Sequence, residues 1–207
     1  MKLILIRHGQ TQWNSESRVQ GRTDIPLNEK GRQQARAIAL RLQGIRFDAV
    51  YASPLSRAKE TAETIAKFSG AEVVLDEDIT EIQFGKWEGM TSEELHVTYP
   101  ELFFDWGWID RTEDCKSMEA EPQHELAARS LRFVERLKAC HPDSARILVV
   151  GHTMPTKLII AHFIGLPYER MRSLRIENCA YNELDTGHNE RGFLNALNDT
   201  SHLRGLL

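Results

Sequence analysis

The sequence predicts an α/β protein whose central sheet is mostly parallel and is covered by helices on both faces. Short, almost wholly apolar runs at residues 3–6 and 146–150 are typical of strands that are buried on both sides. Segments with helical spacing of apolar residues alternate with the predicted strands, as in parallel sheets with crossover helices. A short turn at Thr186-Gly187 joins the last two predicted strands, which indicates an antiparallel edge.

Local signals define the individual elements. Asn28 suits the N-cap of the first helix and Gly44 suits its end. Pro155 suits the first turn of a later helix that ends near Gly165. The polar, aperiodic residues 109–122 predict a surface loop. The predicted strands lie at 3–6, 48–52, 72–75, 146–150, 174–184 and 193–197, and the predicted helices lie at about 28–44, from 56 onward, at 92–99, within 101–108, at 123–140 and at 155–165.

Size and composition narrow the functional classes. We expect one domain over residues 1–207, with the ordinary composition of a soluble protein, 41% hydrophobic and 27% charged. No apolar run approaches the roughly 20 residues of a membrane span, and the first residues form a strand instead of a cleavable signal. A net charge of −4 argues against general nucleic-acid binding. The sequence has three cysteines, Cys115, Cys140 and Cys179, and they lack metal-ligand spacing. We expect them to be free thiols in a cytoplasmic protein. We expect no metal or cofactor.

The first strand ends in Arg7-His8-Gly9, at the end of a parallel strand where ligands bind. A guanidinium beside an imidazole at this place indicates an anion site that contains a nucleophile or a proton carrier. Such a tripeptide alone is also compatible with a solvated loop. Three further residues share its context, at or just beyond the end of a predicted strand or its loop: Arg57, Glu81 and His152. Two histidines, two arginines and one acid on one rim indicate phosphoryl transfer, in which arginine donates paired hydrogen bonds to phosphate oxygens.

The residues that follow the tripeptide carry a family resemblance. Residues 3–31 contain Arg7-His8-Gly9, Thr11, Trp13-Asn14, Arg18-Val-Gln20-Gly21, Asp24, Pro26-Leu27 and Gly31. This block resembles the signature of the histidine phosphatase superfamily, also called the phosphoglycerate mutase-like family. Gln20-Gly21 followed by Asp24-Ile-Pro-Leu is more similar to the small broad-specificity phosphatases than to the mutases. Residues 51–62, 79–89 and 147–153 resemble later family motifs. The resemblance implies a three-layer α/β/α sandwich.

The resemblance also implies roles for individual residues. His8 would be the nucleophile that forms a phosphohistidine, and Glu81 would be the general acid, with Glu88 as the competing candidate. His152 would bind the transferring phosphoryl group. The implied phosphate ligands are Arg7, Asn14, Arg57 and the Thr153 amide, and the implied substrate contacts are Gln20 and Gly21.

Two segments depart from the family pattern. Many members have glycine or serine after the second histidine, where this chain has Thr153-Met154-Pro155, and we expect this difference to shape the pocket. Residues 105–125 lack the Gly-Glu-Ser segment of many relatives, which affects substrate inference most. Phe103-Phe104, Trp106 and Trp108 fit a substrate wall, an interface or core.

The resemblance implies a metal-independent phosphatase that acts on a small phosphomonoester, as a monomer or homodimer and without a nucleic-acid or membrane partner. The alternatives are a phosphoglycerate mutase and a catalytically silent module that binds a phosphate ligand. Retention of all five rim residues, Arg7, His8, Arg57, Glu81 and His152, argues against the silent module.

Overall fold

A six-stranded sheet forms the centre of the structure, a computed structural model that describes residues 1–100, 112–187 and 192–206. The strand order is β3-β2-β4-β1-β5-β6. The first four of these strands are mutually parallel, and β5 and β6 are antiparallel at one edge. The strands are β1 (Lys2–Arg7), β2 (Ala49–Ala52), β3 (Val73–Leu75), β4 (Arg146–Gly151), β5 (Tyr181–Asp185) and β6 (Phe193–Asp199).

Seven α-helices occur within the described residues, two of them on each face of the sheet as the main covering layers. They are α1 (Gln12–Ser15), α2 (Glu29–Arg41), α3 (Ser56–Ser69), α4 (Ser92–Thr98), α5 (Thr112–Met118), α6 (Gln123–Cys140) and α7 (Thr153–Ile164). Short 3-10 turns lie at Glu77–Ile79, Gly85–Trp87, Tyr168–Ser173 and Ser201–Leu203. None of the helices in these residues is long and apolar enough to cross a bilayer.

Alternation along the strands builds the three layers. In β1, Leu3 and Leu5 face α6 and α7, whereas Ile4 and Ile6 face α2 and α3, since successive side chains point to opposite sides of a sheet. Strand β4 alternates in the same way. Both faces are therefore buried, which is the physical reason why β1 and β4 are continuous apolar runs. The predicted α/β/α layering with a mostly parallel sheet and an antiparallel edge is confirmed.

Several predicted helix boundaries are confirmed, and the structure shows the local interactions that set them. The Asn28 side chain accepts a hydrogen bond from the Gly31 amide at 2.8 Å and so caps α2. Gly165 ends α7 in the left-handed conformation, with φ at +65°. Helix α4 stops at Thr98, close to the predicted 92–99.

Three predictions about local structure are wrong. The segment 109–122, predicted as a loop, contains helix α5, whose apolar side consists of two buried residues, Cys115 and Met118. The predicted strand 174–184 is a strand only from Tyr181, because a 3-10 turn and a tight bend that includes Cys179 at φ +54° precede it. The short helix α1 lies between the strand predicted at 3–6 and the helix predicted from 28, where no helix was predicted. The helix predicted within 101–108, and the aromatic residues there, lie outside the described residues.

Strand register brings the rim residues to one edge of the sheet. Arg7 pairs with Gly151 across β1 and β4, and Ala52 pairs with Val150 across β2 and β4. The chain therefore leaves the sheet at neighbouring points just before His8, Ser53 and His152. The His8 amide continues the ladder by donating to the Gly151 carbonyl at 3.0 Å. This edge carries the candidate active site.

Candidate active site

A cavity of about 440 Å³ opens at the carboxyl edge of the parallel strands. Four of the ionisable residues that line it are here called its floor: Arg7, His8, Arg57 and Glu81. Apolar side chains form much of the remaining wall: Val19, Phe84, Trp87, Leu95 and Met154. The cavity therefore joins a polar, ionisable floor to a wall suited to a carbon skeleton.

His8 is buried and held in one orientation. Its Nδ1 lies 2.7 Å from the Gly9 carbonyl, which accepts the Nδ1 proton and leaves Nε2 as the unprotonated nitrogen. Burial, together with the charges of Arg57 and Arg7, holds the pKa of His8 well below its usual value of 6.5. The imidazole is therefore neutral at physiological pH, which is the state that a nucleophile requires.

Two arginines flank this imidazole and are themselves fixed by backbone carbonyls. Arg57 is fully buried and donates to Thr23 and Gly21 carbonyls at 2.8 and 2.7 Å. Arg7 donates to the Ile176 carbonyl at 2.9 Å. Burial lowers the pKa of Arg57 to about 10, which leaves the guanidinium charged at neutral pH.

His152 lies against His8, with ring centroids 5.1 Å apart, and is fully buried. The Leu55 amide donates to Ser53 Oγ at 3.3 Å, and His152 Nε2 lies 2.8 Å from the same oxygen. When the Ser53 hydroxyl donates to Nε2, Nδ1 of His152 carries the ring proton. Burial and the charge of Arg57 hold the pKa of His152 well below 6.5.

Three buried nitrogens around the floor have no hydrogen-bond partner among the described residues. They are Nε of Arg7, Nε of Arg57 and Nδ1 of His152. Buried polar groups are normally paired, because an unpaired group loses its hydration without compensation. Unpaired nitrogens on two arginines that line the cavity, and on the ring that lies against His8, indicate a site for a group rich in hydrogen-bond acceptors.

The Glu81 carboxyl lies at the N-terminus of α7. Its two oxygens accept from the Thr153 and Met154 amides at 3.1 and 3.2 Å, and Oε1 also accepts from the Ile82 amide at 3.0 Å. Burial raises the pKa of this carboxyl, and the amide of Ile82 and the two cavity arginines oppose that rise. The environment thus favours a proton on Glu81 more than water does, as a general acid requires.

Glu88, the competing candidate, is engaged in a turn. Its oxygens accept from the backbone amides of Arg22, Thr23 and Phe84 at 3.1, 2.9 and 2.9 Å, and from the Thr23 hydroxyl. These contacts tie residues 21–23 to residues 84–88. Glu88 therefore shapes the loop that holds Arg57.

The remaining predicted ligands occupy different positions. Asn14 lines the cavity, and its described contacts use Oδ1, which leaves the Nδ2 amino group for a ligand. Gln20 and Gly21 also line it. Gly21 adopts φ +54°, and a Cβ atom there would lie 2.1 Å from a Glu88 oxygen. The Thr153 amide, predicted as a phosphate donor, donates to Glu81 instead.

Sequence analysis missed four residues that hold this site together. Ser53 orients His152, as described above. The Asn178 side chain donates to the His8 carbonyl at 2.9 Å. Arg129 on α6 donates to the carbonyls of Asp78, Thr80 and Glu81 at 2.9, 2.5 and 3.0 Å, and it forms an ion pair with Glu121 at 2.7 Å. A buried arginine in an otherwise apolar helix stripe was the available signal for Arg129; the other three carry none in a single sequence.

Comparison with known proteins assigns the family. The model of the histidine phosphatase superfamily (branch 1) matches residues 3–200. Phosphoserine phosphatase 1 of Hydrogenobacter thermophilus is 33% identical over 203 residues, which cover 98% of this chain and 94% of that protein. A protein of Enterobacter sp. (strain 638), named "Probable phosphoglycerate mutase GpmB", is 33% identical over 195 residues, which cover 89% of this chain and 85% of that protein.

Solved structures agree with this assignment. The α-ribazole phosphatase of Shigella flexneri superposes with a TM-score of 0.82 at 29% identity, covering 96% of each chain. The chain therefore belongs to the histidine phosphatase superfamily, branch 1. The predicted family, fold class and class of enzyme, a phosphatase, are confirmed.

Proposed function

We propose that the chain hydrolyses small phosphomonoesters through a phosphohistidine at His8. The observation that carries this proposal is the fixed His8 ring, whose Nδ1 donates to the Gly9 carbonyl at 2.7 Å and whose Nε2 is free to attack phosphorus. Substrates of the relatives, as their names give them, include phosphoserine and α-ribazole phosphate. These names support a small phosphorylated substrate for this chain as well.

In the first step, Nε2 of His8 forms a bond to phosphorus while the ester P–O bond breaks. Glu81 gives its proton to the departing oxygen, since a free alkoxide is a poor leaving group. The unpaired nitrogens of Arg7, Arg57 and His152 donate to the phosphoryl oxygens and neutralise their charge. Because other guanidinium nitrogens of both arginines donate to backbone carbonyls, and His152 Nε2 contacts Ser53, these side chains are already held in place and little reorganisation accompanies the reaction.

In the second step, water attacks phosphorus, the P–N bond breaks and inorganic phosphate leaves. Glu81, now ionised, accepts a proton from that water, which restores both catalytic residues. The dianionic phosphoryl group adds negative charge beside Glu81 and so favours its return to the protonated form. Asn14 Nδ2 donates to the same group.

The proposal is tested by measuring phosphate release from a panel of phosphomonoesters in the presence of a chelator. The wild-type protein is expected to release phosphate, and His8→Ala is expected to reduce release by about 10⁴-fold or more, as loss of a nucleophile does in other covalent catalysts. Chelator-resistant release is expected because no step uses a metal. Substantial turnover by His8→Ala would contradict the nucleophile assignment.

A mutase activity is the second candidate, and the identity to the protein named as a phosphoglycerate mutase favours it. A mutase would return the phosphoryl group to another substrate oxygen instead of to water. Isomerisation of phosphoglycerate that is faster than phosphate release would assign this second activity.

A further inference from the structure

We propose that Lys157 binds a second anionic group of the substrate, so that the preferred substrates are phosphomonoesters with a carboxylate or a second phosphate on a short carbon skeleton. This inference rests on the proposed hydrolysis and names its substrate class. It is carried by the position of one lysine in the cavity wall and by the balance of charge around it.

Lys157 reaches the cavity from α7. Thr153, Met154 and Lys157 all line the cavity, and their spacing of three and four residues places them on one helix face, one turn apart. The first turn of α7 holds the Glu81 carboxyl, and the backbone of Lys157 lies one turn farther along the same helix. In the proposed complex, its ammonium group meets the second anion of a substrate whose phosphate lies at His8.

The cavity wall carries more positive charge than a phosphate monoester balances. Among the described residues that line it, one is acidic, Glu81, and five are basic: Arg7, Arg18, Arg57, Lys157 and Arg172. Arg172 has an interaction of its own and does not enter this balance. Arg7 and Arg57 face the phosphoryl dianion in the proposed reaction. Arg18 is already compensated by Glu16 and Glu94, each at 3.1 Å. Lys157 has neither a hydrogen bond nor an ion pair within the described parts of the chain, which leaves its charge for the substrate.

The surroundings of Lys157 also favour an anion. The lysine is half-buried, and burial lowers the pKa of its ammonium group, with Arg7 and Arg172 acting in the same direction. The Glu81 carboxylate opposes this effect, but in the proposed reaction Glu81 begins protonated. An anion bound beside Lys157 would relieve the unfavourable burial of its charge.

The rest of the cavity fits the same substrate class. A volume of about 440 Å³ exceeds what a phosphoryl group alone occupies, and Phe84, Trp87 and Met154 add apolar surface to the cavity lining. A short carbon skeleton would span that surface, with the ester phosphate at His8 and the second anion at Lys157.

The test compares substrate pairs that differ only at the second anion. O-phosphoserine is paired with O-phosphoethanolamine, 3-phosphoglycerate with glycerol phosphate, and fructose 1,6-bisphosphate with fructose 6-phosphate. In the wild-type protein kcat/KM should favour the more anionic member of at least one pair. Lys157→Met should lower kcat/KM for that member by about 10- to 100-fold, the usual range for a lost charged hydrogen bond, and change the other member less than twofold. An effect on the phosphoserine or phosphoglycerate pair would show that Lys157 binds a carboxylate. An effect on the fructose phosphate pair would show that it binds a second phosphate.

Two controls keep the result interpretable. Lys59→Met removes an exposed lysine on α3 that is paired with Glu63 at 3.9 Å. It should leave the ratio of kcat/KM between the two members of every substrate pair unchanged. Lys157→Arg should retain the preference, because it keeps the charge. Turnover of p-nitrophenyl phosphate by Lys157→Met shows that the variant is folded and that hydrolysis persists.

The inference would be overturned by equal losses for both members of every pair, which would place Lys157 in the common chemistry, or by no preference in the wild-type protein. Failure of the proposed function itself looks different, since the wild-type protein would then release no phosphate even from p-nitrophenyl phosphate.

Discussion

The two sides of the active site are held in place by different means. One side, called the phosphate side because we propose that it binds the phosphoryl group, comprises Arg7, His8, Arg57 and His152. Its positions follow from parallel strands whose register is fixed and from backbone carbonyls that bind the arginines. On the acid side, Glu81 lies beyond the sheet in a segment with little regular structure. Its backbone is fixed by side chains from elsewhere, chiefly Arg129 and the Glu121 carboxylate that pairs with it.

This difference has an energetic consequence. The phosphate side shares the stability of the central sheet, whose apolar faces are both buried. The acid side depends on a buried ion pair and three carbonyls that one guanidinium satisfies, and such a pair is costly when broken because a charge is left buried. Changes near Glu81 should therefore affect stability and acid catalysis together, whereas changes on the phosphate side should mainly affect catalysis.

The largest effect should come from the phosphate side. Arg57→Gln removes a fully buried charge that is placed to stabilise the transferring phosphoryl group, so we expect kcat/KM to fall by about 10²- to 10⁴-fold for every phosphomonoester. Steady-state kinetics with alkyl and aryl phosphates measures this loss. Loss for one leaving-group class only would place Arg57 with the acid instead.

The next largest effect should distinguish the acid side by leaving group. Glu81→Gln should lower kcat/KM for alkyl phosphates by about 10²-fold or more, because kcat/KM reports the step in which the alkoxide departs and that alkoxide needs a proton. The loss for p-nitrophenyl phosphate should be much smaller, since nitrophenolate leaves without one. Equal losses for the two substrates would contradict the general-acid role.

A smaller effect should report on how Glu81 is positioned. Arg129→Lys keeps the charge but not the planar guanidinium that contacts three carbonyls. We therefore expect kcat/KM to fall about tenfold for alkyl phosphates and by less for p-nitrophenyl phosphate. Arg132→Lys is the matched control, because Arg132 lies on the same helix and forms an exposed pair with Asp78. If Arg129 had a structural role alone, its substitution would lower kcat/KM equally for both substrates and leave the dependence on the leaving group unchanged.

The smallest effect should appear in stability against pH. The pKa of His8 and of His152 is lowered in the folded state, so below about pH 6.5 the unfolded chain binds more protons and the free energy of unfolding falls as pH falls. Each histidine contributes at most about 1.4 kcal/mol per pH unit. Denaturant unfolding of the wild-type protein and of His8→Gln between pH 5 and 7 should show a shallower slope for the variant. Identical slopes would contradict the neutral, buried state of His8.

The same contrast explains what sequence could predict. Arg7, His8, Arg57 and His152 follow strands or begin helices, and parallel strand ends meet at one edge, so their convergence was predictable. Glu81 was placed on the same rim by the loop that follows the third predicted strand, but its role as the acid was predicted through resemblance to a motif. The residues that position it, Arg129 and Glu121, come from distant segments and leave no periodic pattern.

Elements with few apolar residues were not predicted, for a related reason. Helix α5 buries only Cys115 and Met118 among its described side chains, which is too little for a helical period to be recognised. Conversely, Leu174 and Ile176 are buried and apolar but lie outside any strand, although residues 174–184 were predicted as one. Apolar residues indicate burial, but they do not identify the hydrogen-bond partners of the backbone.

The most direct test of the account is to trap the covalent intermediate. The protein is mixed with excess phosphomonoester, quenched in alkali, in which phosphohistidine survives, and digested for mass spectrometry. We predict phosphate on the peptide that contains His8, absent from His8→Ala and accumulating when Glu81→Gln is turned over with p-nitrophenyl phosphate. Active protein with no modified His8, or with phosphate on another residue, would contradict the central claim.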